Sequence, residues 1–380
     1  MESVKGFKDY VGKDAEKREE IRKILVGTFE SYGFEPAETP VIEYEEFVKG
    51  NNETDEAVSD IFRLEDKGKR KLALRYELTF PLKRIMQNKK LPYKRYQIGP
   101  VFRDEPVQGN RARQFIACDA DIIGSTIKDE AEILSVIKNI LDKLKIEFTI
   151  YINNRKLLNE ILNKSKVKEN ERNNVIRELD KLNKIPENEI KRNLKKYKAE
   201  NIVDVLKSKE SFFEQFSSYK EIKELKDYCK YYGIEVRFLP TLARGLSYYN
   251  GNVFEVKTKA IKETICGGGS FMFNGIQATG FGTGLERLEI LSNLKNGKEK
   301  YLVISLGKDK EVIQLAEKIR KKGKVVSIYY GKPSKALDYA NAYNFNKVIF
   351  VGEKEIKSKK FKVKDMKTGK EKSLDFSAKF

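Results

Sequence analysis

The chain has 380 residues, 40% of them hydrophobic, and a formal net charge of +19, which leaves room for two or three domains and favours a polyanionic partner such as RNA. No apolar run approaches the ~20 residues that cross a bilayer, and Met1-Glu-Ser-Val-Lys-Gly6 lacks an apolar signal core, so a cytoplasmic protein with no membrane partner is expected. There is no histidine, which excludes Ser-His-Asp and Cys-His catalysis and histidine-ligated metals, and Cys118, Cys229 and Cys266 show no Cys-x-x-Cys spacing for zinc or a disulfide framework.

Residues 13–32 predict an amphipathic helix with Ile21, Ile24, Leu25 and Phe29 on one face and Gly33 ending it. Residues 60–124 hold several strand-like runs. Two of these, Tyr93–Phe102 and Phe115–Gly124, flank a polar loop containing glycine and predict a long antiparallel hairpin. Residues 129–145 predict a helix through Ile133, Leu134, Ile137 and Leu141. From about 155 to 235 the composition shifts to Lys, Glu and Asn with scattered Leu, Ile and Phe and almost no strand signal. This stretch reads as an inserted helical subdomain whose charges are solvated faces, with RNA contact as the alternative.

Strand runs return at 252–259 and 275–283. Between them, Gly267-Gly-Gly269 reads as a tight turn, as a close approach of backbone to ligand, or as both. After Asn296-Gly297, strand 301–305, helix 309–322, strand 325–330, helix 334–344, strand 347–351 and a hairpin over 361–374 predict a small α/β domain with a nearly parallel sheet. Ligand is expected at the carboxyl ends of such strands. The chain thus divides at 1–154, 155–235, 236–296 and 297–380.

The sharpest chemical signal lies in the hairpin, at Arg103 and Arg111 of Phe102-Arg103-Asp104-Glu105-Pro-Val-Gln-Gly-Asn-Arg111. Guanidinium forks donate paired hydrogen bonds to phosphate oxygens, so the two could grip an acyl-phosphate and a terminal phosphate together. Alone, they could equally be two solvated arginines on a basic protein. Other segments decide between these. The hairpin resembles the second signature motif of the class II aminoacyl-tRNA synthetases. Ser31-Tyr-Gly-Phe-Glu-Pro-Ala-Glu-Thr-Pro40 resembles their dimer-interface motif, and Gly280-Phe-Gly-Thr-Gly284-Leu-Glu-Arg287 resembles their third. Leu72-Ala-Leu-Arg75-Tyr-Glu77-Leu-Thr79 and Leu242-Ala-Arg244-Gly245-Leu-Ser-Tyr248-Tyr249 look like motifs of the histidyl-tRNA synthetases. The resemblance runs in order from Gly6 to the C-terminus, and the last domain is similar to the anticodon-binding domain of the histidyl, glycyl, threonyl and prolyl enzymes.

The resemblance implies an α+β protein: a class II antiparallel sheet with flanking helices, a helical insertion and a C-terminal α/β anticodon-binding domain. It implies a homodimer that uses ATP and Mg²⁺ to make histidyl-adenylate from L-histidine and then charges tRNA(His). No side-chain cluster for a resident metal is expected, because Mg²⁺ arrives with ATP. By the same resemblance, Arg103 and Arg244 are catalytic; Arg103, Glu105, Arg111 and Arg287 hold ATP. Glu77, Leu78, Thr79, Arg103, Asp121, Arg244, Tyr248 and Tyr249 form the histidine site, with Asp121 and Tyr249 reading the imidazole. Three positions depart from the family pattern: Ala117 for a glutamine, Ser247 for an aspartate and Phe271 for a tyrosine. The alternative is a non-catalytic paralogue: a histidine-sensing regulatory subunit of the ATP phosphoribosyltransferase type, or a tRNA-binding regulator.

Overall fold

The computed structural model describes residues 2–50, 60–107, 112–182, 185–244, 248–294 and 299–375. The chain forms two compact units, one of Met1–Tyr10 with Arg18–Leu294 and the other of Val11–Lys17 with Lys295–Phe380.

Helix α1 (Gly12–Ser31) buries Ile21, Leu25 and Phe29, the i, i+4, i+8 stripe of its apolar face. Gly33, at φ +77°, ends it in the left-handed turn that glycine adopts freely. The chain then lays down the short strands β1 (Glu35–Pro36) and β2 (Ile42–Tyr44), followed by β3 (Arg63–Glu65) and β4 (Lys71–Leu74). Strands β2, β4 and β3 form a small sheet in that order. The expected hairpin follows as β5 (Tyr93–Phe102) and β6 (Gln114–Ile123), paired antiparallel along their whole length. Helix α2 (Ile127–Lys143) begins where the Thr126 N–H donates to the Asp129 carboxylate at 2.7 Å.

Strand β7 (Thr149–Asn154) opens a helical stretch: α3 (Arg155–Lys164), α4 (Glu169–Leu179), α5 (Glu187–Leu194) and α6 (Tyr219–Tyr231), with shorter turns between. The apolar residues of this stretch, such as Leu157, Val175, Ile222 and Leu225, join one continuous core with Ile133 and Ile137 of α2. Strands β8 (Val236–Phe238), β9 (Tyr249–Lys257), β10 (Cys266–Phe273) and β11 (Ile276–Gly284) complete the unit, and β11 runs into helix α7 (Leu285–Leu291). The large sheet has the order β1-β5-β6-β11-β10-β9-β7-β8. Its five inner pairings are antiparallel, and the short edge strands β1 and β8 pair parallel.

Strand β10 corrects one reading of the sequence. Gly267, Gly268 and Gly269 lie inside this strand and do not form a turn. A Cβ on Gly268 would run into the Gly280 carbonyl of β11, and one on Gly269 would meet the Asn252 carbonyl of β9. Glycine is needed where neighbouring backbones come this close.

The second unit contains β12 (Lys300–Ser305), α8 (Asp309–Arg320), β13 (Val325–Tyr330), α9 (Pro333–Ala342), β14 (Lys347–Val351), a further helix α10 (Glu353–Ser358), β15 (Lys360–Asp365) and β16 (Glu371–Asp375). Its sheet, in the order β13-β12-β14-β15-β16, is mixed and not nearly parallel. The first three strands run parallel, and the terminal hairpin adds two antiparallel pairings. β14 reaches β15 through α10 alone and β15 reaches β16 through a turn, both too short for the long crossover that a parallel neighbour needs.

Candidate active site

Strands β5 and β6 carry the charged groups that the large sheet buries, and the glycine-rich β10 and β11 lie beside them. Arg95 on β5 sits directly opposite Asp121 on β6, its guanidinium 2.5 Å from the carboxylate, and both are buried. The same guanidinium donates to the Leu78 carbonyl at 2.9 Å. Room for these acids comes from the partner strand. Gly280 and Gly282 of β11 face Asp121 and Asp119 across the ladder, and a Cβ at either glycine would strike the facing carboxylate. The alternating glycines of Gly280-Phe-Gly-Thr-Gly284 therefore make space for two carboxylates inside a sheet.

Glu77 lies on the segment that follows β4, within electrostatic reach of Arg103, Asp121 and Arg95. Burial pushes its carboxyl up to about 7, opposed chiefly by Arg103 and also by a hydrogen bond from the Phe80 N–H. Burial pushes Asp119 up to about 7 as well, with Arg95 the main opposing charge. Asp121 is raised by burial against the same cation. Three acids and two arginines thus share one low-dielectric site.

Arg103, at the end of β5, donates to the Tyr76 carbonyl at 3.3 Å, lies 3.8 Å from Glu105 and stacks over the Phe115 ring. Arg244 pairs with Glu255 of β9 at 3.2 Å, and its guanidinium fills the space where Gly267 lacks a side chain. The Tyr249 ring lies beneath Arg244, with 4.7 Å between the ring centres of Tyr248 and Tyr249. Tyr248 reaches Glu77 electrostatically, and burial holds its hydroxyl well above the usual tyrosine range. Glu77, Arg103, Asp121, Arg244, Tyr248 and Tyr249 are thus brought into one connected group.

Other expected residues stand apart from that group or do different work. The Leu78 side chain is fully buried with Val101 and Ala117, so this residue offers the site only its backbone, and that carbonyl is taken by Arg95. The Thr79 carbonyl accepts from the Leu82 N–H, starting a short helical turn. Arg287, in the first turn of α7, donates to the Thr264 carbonyl at 2.7 Å, and together with Arg244 lies within reach of Cys266. Arg111 and Ser247 lie outside the described residues. Ala117 sits in the apolar cluster beside Leu78, and Phe271 packs edge-on against Tyr248 at 5.6 Å. All three cysteines are free and buried. Among the described residues no helix is long and apolar enough to cross a membrane, and no group of three acidic or cysteine side chains could hold a metal.

Sequence reasoning passed over Arg95, Asp119 and Glu255, which hold or accompany the expected groups. Arg95 had one available signal, a charged residue in the middle of an otherwise buried strand. It also passed over Glu286, beside Arg287, which accepts from Arg18 of α1 at 2.7 Å and from the Ile116 N–H of β6.

An antiparallel sheet with an arginine at the end of a long hairpin, and a glycine-rich strand running into an arginine-bearing helix, is the catalytic core of a class II aminoacyl-tRNA synthetase. Residues 6–288 match the family model described as histidyl-tRNA synthetase, and residues 300–378 match an anticodon binding domain. The chain is 33% identical to histidine–tRNA ligase 1 of Bacillus cereus, over all of this chain and 96% of that one. It is 31% identical to histidine–tRNA ligase of Helicobacter pylori, over 96% and 94% of the two chains. In fold it is similar to the histidyl-tRNA synthetase of Nostoc, with a TM-score of 0.86 at 22% identity over 99% and 97% of the chains. The chain belongs to the histidyl-tRNA synthetase family.

Proposed function

We propose that the cluster of Glu77, Arg103, Asp121, Arg244 and Tyr249 activates L-histidine with ATP. The chain is a histidine–tRNA ligase, an ATP-using enzyme with an anticodon-binding domain for its tRNA. The observation that carries the residue roles is the joining of these side chains, distant in sequence, within one electrostatically connected site.

Glu77 receives the α-ammonium group of histidine, for which a carboxylate is the natural partner. Asp121 accepts an imidazole N–H while Arg95 keeps it oriented, and the Tyr249 hydroxyl bonds the other ring nitrogen. The substrate carboxylate attacks the α-phosphorus, and pyrophosphate departs. Arg103 and Arg244 neutralise the charge gathering at that centre, so catalysis rests on positioning and electrostatics and needs no general base. Arg111 and Arg287 hold the ATP phosphates, and Glu105 serves ATP near its adenine or its metal. Mg²⁺ would be carried by the nucleotide and would supply neutralisation of the triphosphate charge. The aminoacyl group then passes from histidyl-adenylate to the end of tRNA(His), releasing AMP.

In this reading 1–154 and 236–296 form the catalytic core, 155–235 a helical insertion and 297–380 the anticodon-binding domain. The motif over 31–40 supports a homodimer, and the protein works in the cytoplasm. A regulatory role without catalysis is not favoured, because the relatives that the chain matches along its full length are ligases. Histidine-dependent exchange of pyrophosphate into ATP tests the proposal. Exchange is expected with L-histidine and MgATP, and its absence in folded protein so supplied would refute the catalytic reading.

A further inference from the structure

The junction between β7 and α3 carries three consecutive polar residues, Asn153, Asn154 and Arg155, all buried. Such a run is expensive inside a core unless each group is hydrogen-bonded. Asn153 Nδ2 donates to the carbonyls of Pro240 and Leu242 at 2.9 and 2.8 Å. Arg155 Nη1 donates to the carbonyl of Arg244 at 3.2 Å. Carbonyls 240, 242 and 244, every second one along the approach to the catalytic arginine, are therefore held from this junction. Asn154 ties the junction itself down: its Nδ2 donates to Asn252 of β9 and Glu221 of α6, each at 2.8 Å, and its Oδ1 caps α3.

Arg155 also reaches outward. Its Nη2 donates to Asn173 Oδ1 of α4 at 2.9 Å, and Asn173 is exposed. Both of these acceptors are neutral, and burial pushes the Arg155 guanidinium down to about 10. Arg177 adds to that downward push and Asp180 opposes it, while the guanidinium's hydrogen bonds to one backbone carbonyl and one helix side chain fit a role in fixing position.

We propose that Arg155 is a positioning residue that sets the backbone of Arg244 and makes the placement of that catalytic guanidinium depend on helix α4 of the insertion. Resting on the role assigned to Arg244 above, this gives the insertion a direct mechanical link to amino acid activation.

The test uses the full chain carrying Asn173→Ala, Arg155→Lys or Arg155→Met, each alone and combined with Arg244→Ala. Pyrophosphate exchange is measured against histidine and ATP separately, alongside amide hydrogen exchange over residues 241–244. Arg155→Met is expected to lower kcat by about tenfold or more, as for one lost hydrogen bond to a charged group, with both KM values nearly unchanged. Arg155→Lys should restore part of that loss, and Asn173→Ala should lower kcat roughly threefold by loosening one anchor. Both losses should vanish once Arg244 is alanine, while the amides of 241–244 exchange faster and those elsewhere do not. A kcat loss that persists undiminished without Arg244, or unchanged amide exchange at 241–244 in Asn173→Ala, would overturn the proposal. Asn173 is exposed, so its variant decides the matter even where Arg155→Met does not fold. A wild type without exchange activity would sink the catalytic reading alone, because the amide measurement still judges the link.

Discussion

The two larger sheets of this chain are built on opposite economies. At the centre of the C-terminal unit, β12 is apolar on both faces. Tyr301 and Val303 pack with Val312, Leu315 and Ile319 of α8, while Leu302 and Ile304 pack with Ala336 and Ala340 of α9. Among the described residues of that unit only Ser305 is a buried polar side chain. The large antiparallel sheet and its flanks instead bury Arg95, Asp121, Asn153, Asn154, Asn252 and Glu130. The first design holds by apolar area, which tolerates small losses one at a time. The second holds charges whose desolvation is offset only while each partner stays in place, so it is brittle to single changes and sensitive to pH.

The hardest test of that contrast is Asp121→Ala. It removes the carboxylate paired with the buried Arg95 and should cost about 3–5 kcal/mol in denaturant unfolding. The histidine concentration needed for exchange should rise by about two orders of magnitude, the upper range for a hydrogen bond to a charged group, while that for ATP stays put. Adding Arg95→Met should return stability and leave histidine affinity poor. Equal effects on both substrates would mean that the carboxylate serves the fold and does not read the imidazole.

On the other sheet, Ile304→Ala should cost about 2–5 kcal/mol, the usual range for emptying a buried aliphatic position. Pyrophosphate exchange should be untouched at temperatures where the C-terminal unit is folded, while tRNA charging fails first on warming. A proportional fall in exchange would break the separation between the two units.

Arg244→Ala should lower the turnover of activation by roughly 10- to 150-fold, corresponding to about 1.5–3 kcal/mol of transition-state contact, with a smaller change in histidine KM. A pure KM effect would reassign this arginine to ground-state binding.

The smallest effects should appear in pH profiles. The Glu77 carboxyl sits near 7 and binds an ammonium only when ionised, so histidine affinity should improve as pH rises from 6 to 8. Glu77→Gln should flatten that rise, and an unchanged slope would clear Glu77 of the role. Glu130 titrates stability over a lower window that overlaps this one. Burial raises it to about 7, against hydrogen bonds from Ser270 and Asn252. The folded state keeps a proton that the unfolded chain releases above its ordinary value of 4.5, so this group's contribution to stability falls as pH climbs from 4.5 to 7. Glu130→Gln should make unfolding free energy less dependent on pH across that interval; an identical slope would place the titration elsewhere.

Much of this was written locally in the chain. Helix α1, the β5–β6 hairpin and the first five elements of the C-terminal unit follow from periods of 3.6 and 2, which the sequence by itself determines because each repeat reports one buried face. The arginine and glycine motifs marked the site for the same reason: their chemistry is carried by the residue types. Tertiary structure decided what depends on partners. Three glycines that look like a turn became the middle of β10, because β9 and β11 press against it from both sides. Arg95 gained its purpose only from Asp121 on the neighbouring strand, and Arg155 only from a carbonyl 89 residues away. The mixed order of the last sheet depended on which edge the terminal hairpin joined. Periodicity records which way a side chain faces, while pairing across the fold, which no local pattern encodes, determines what it meets there.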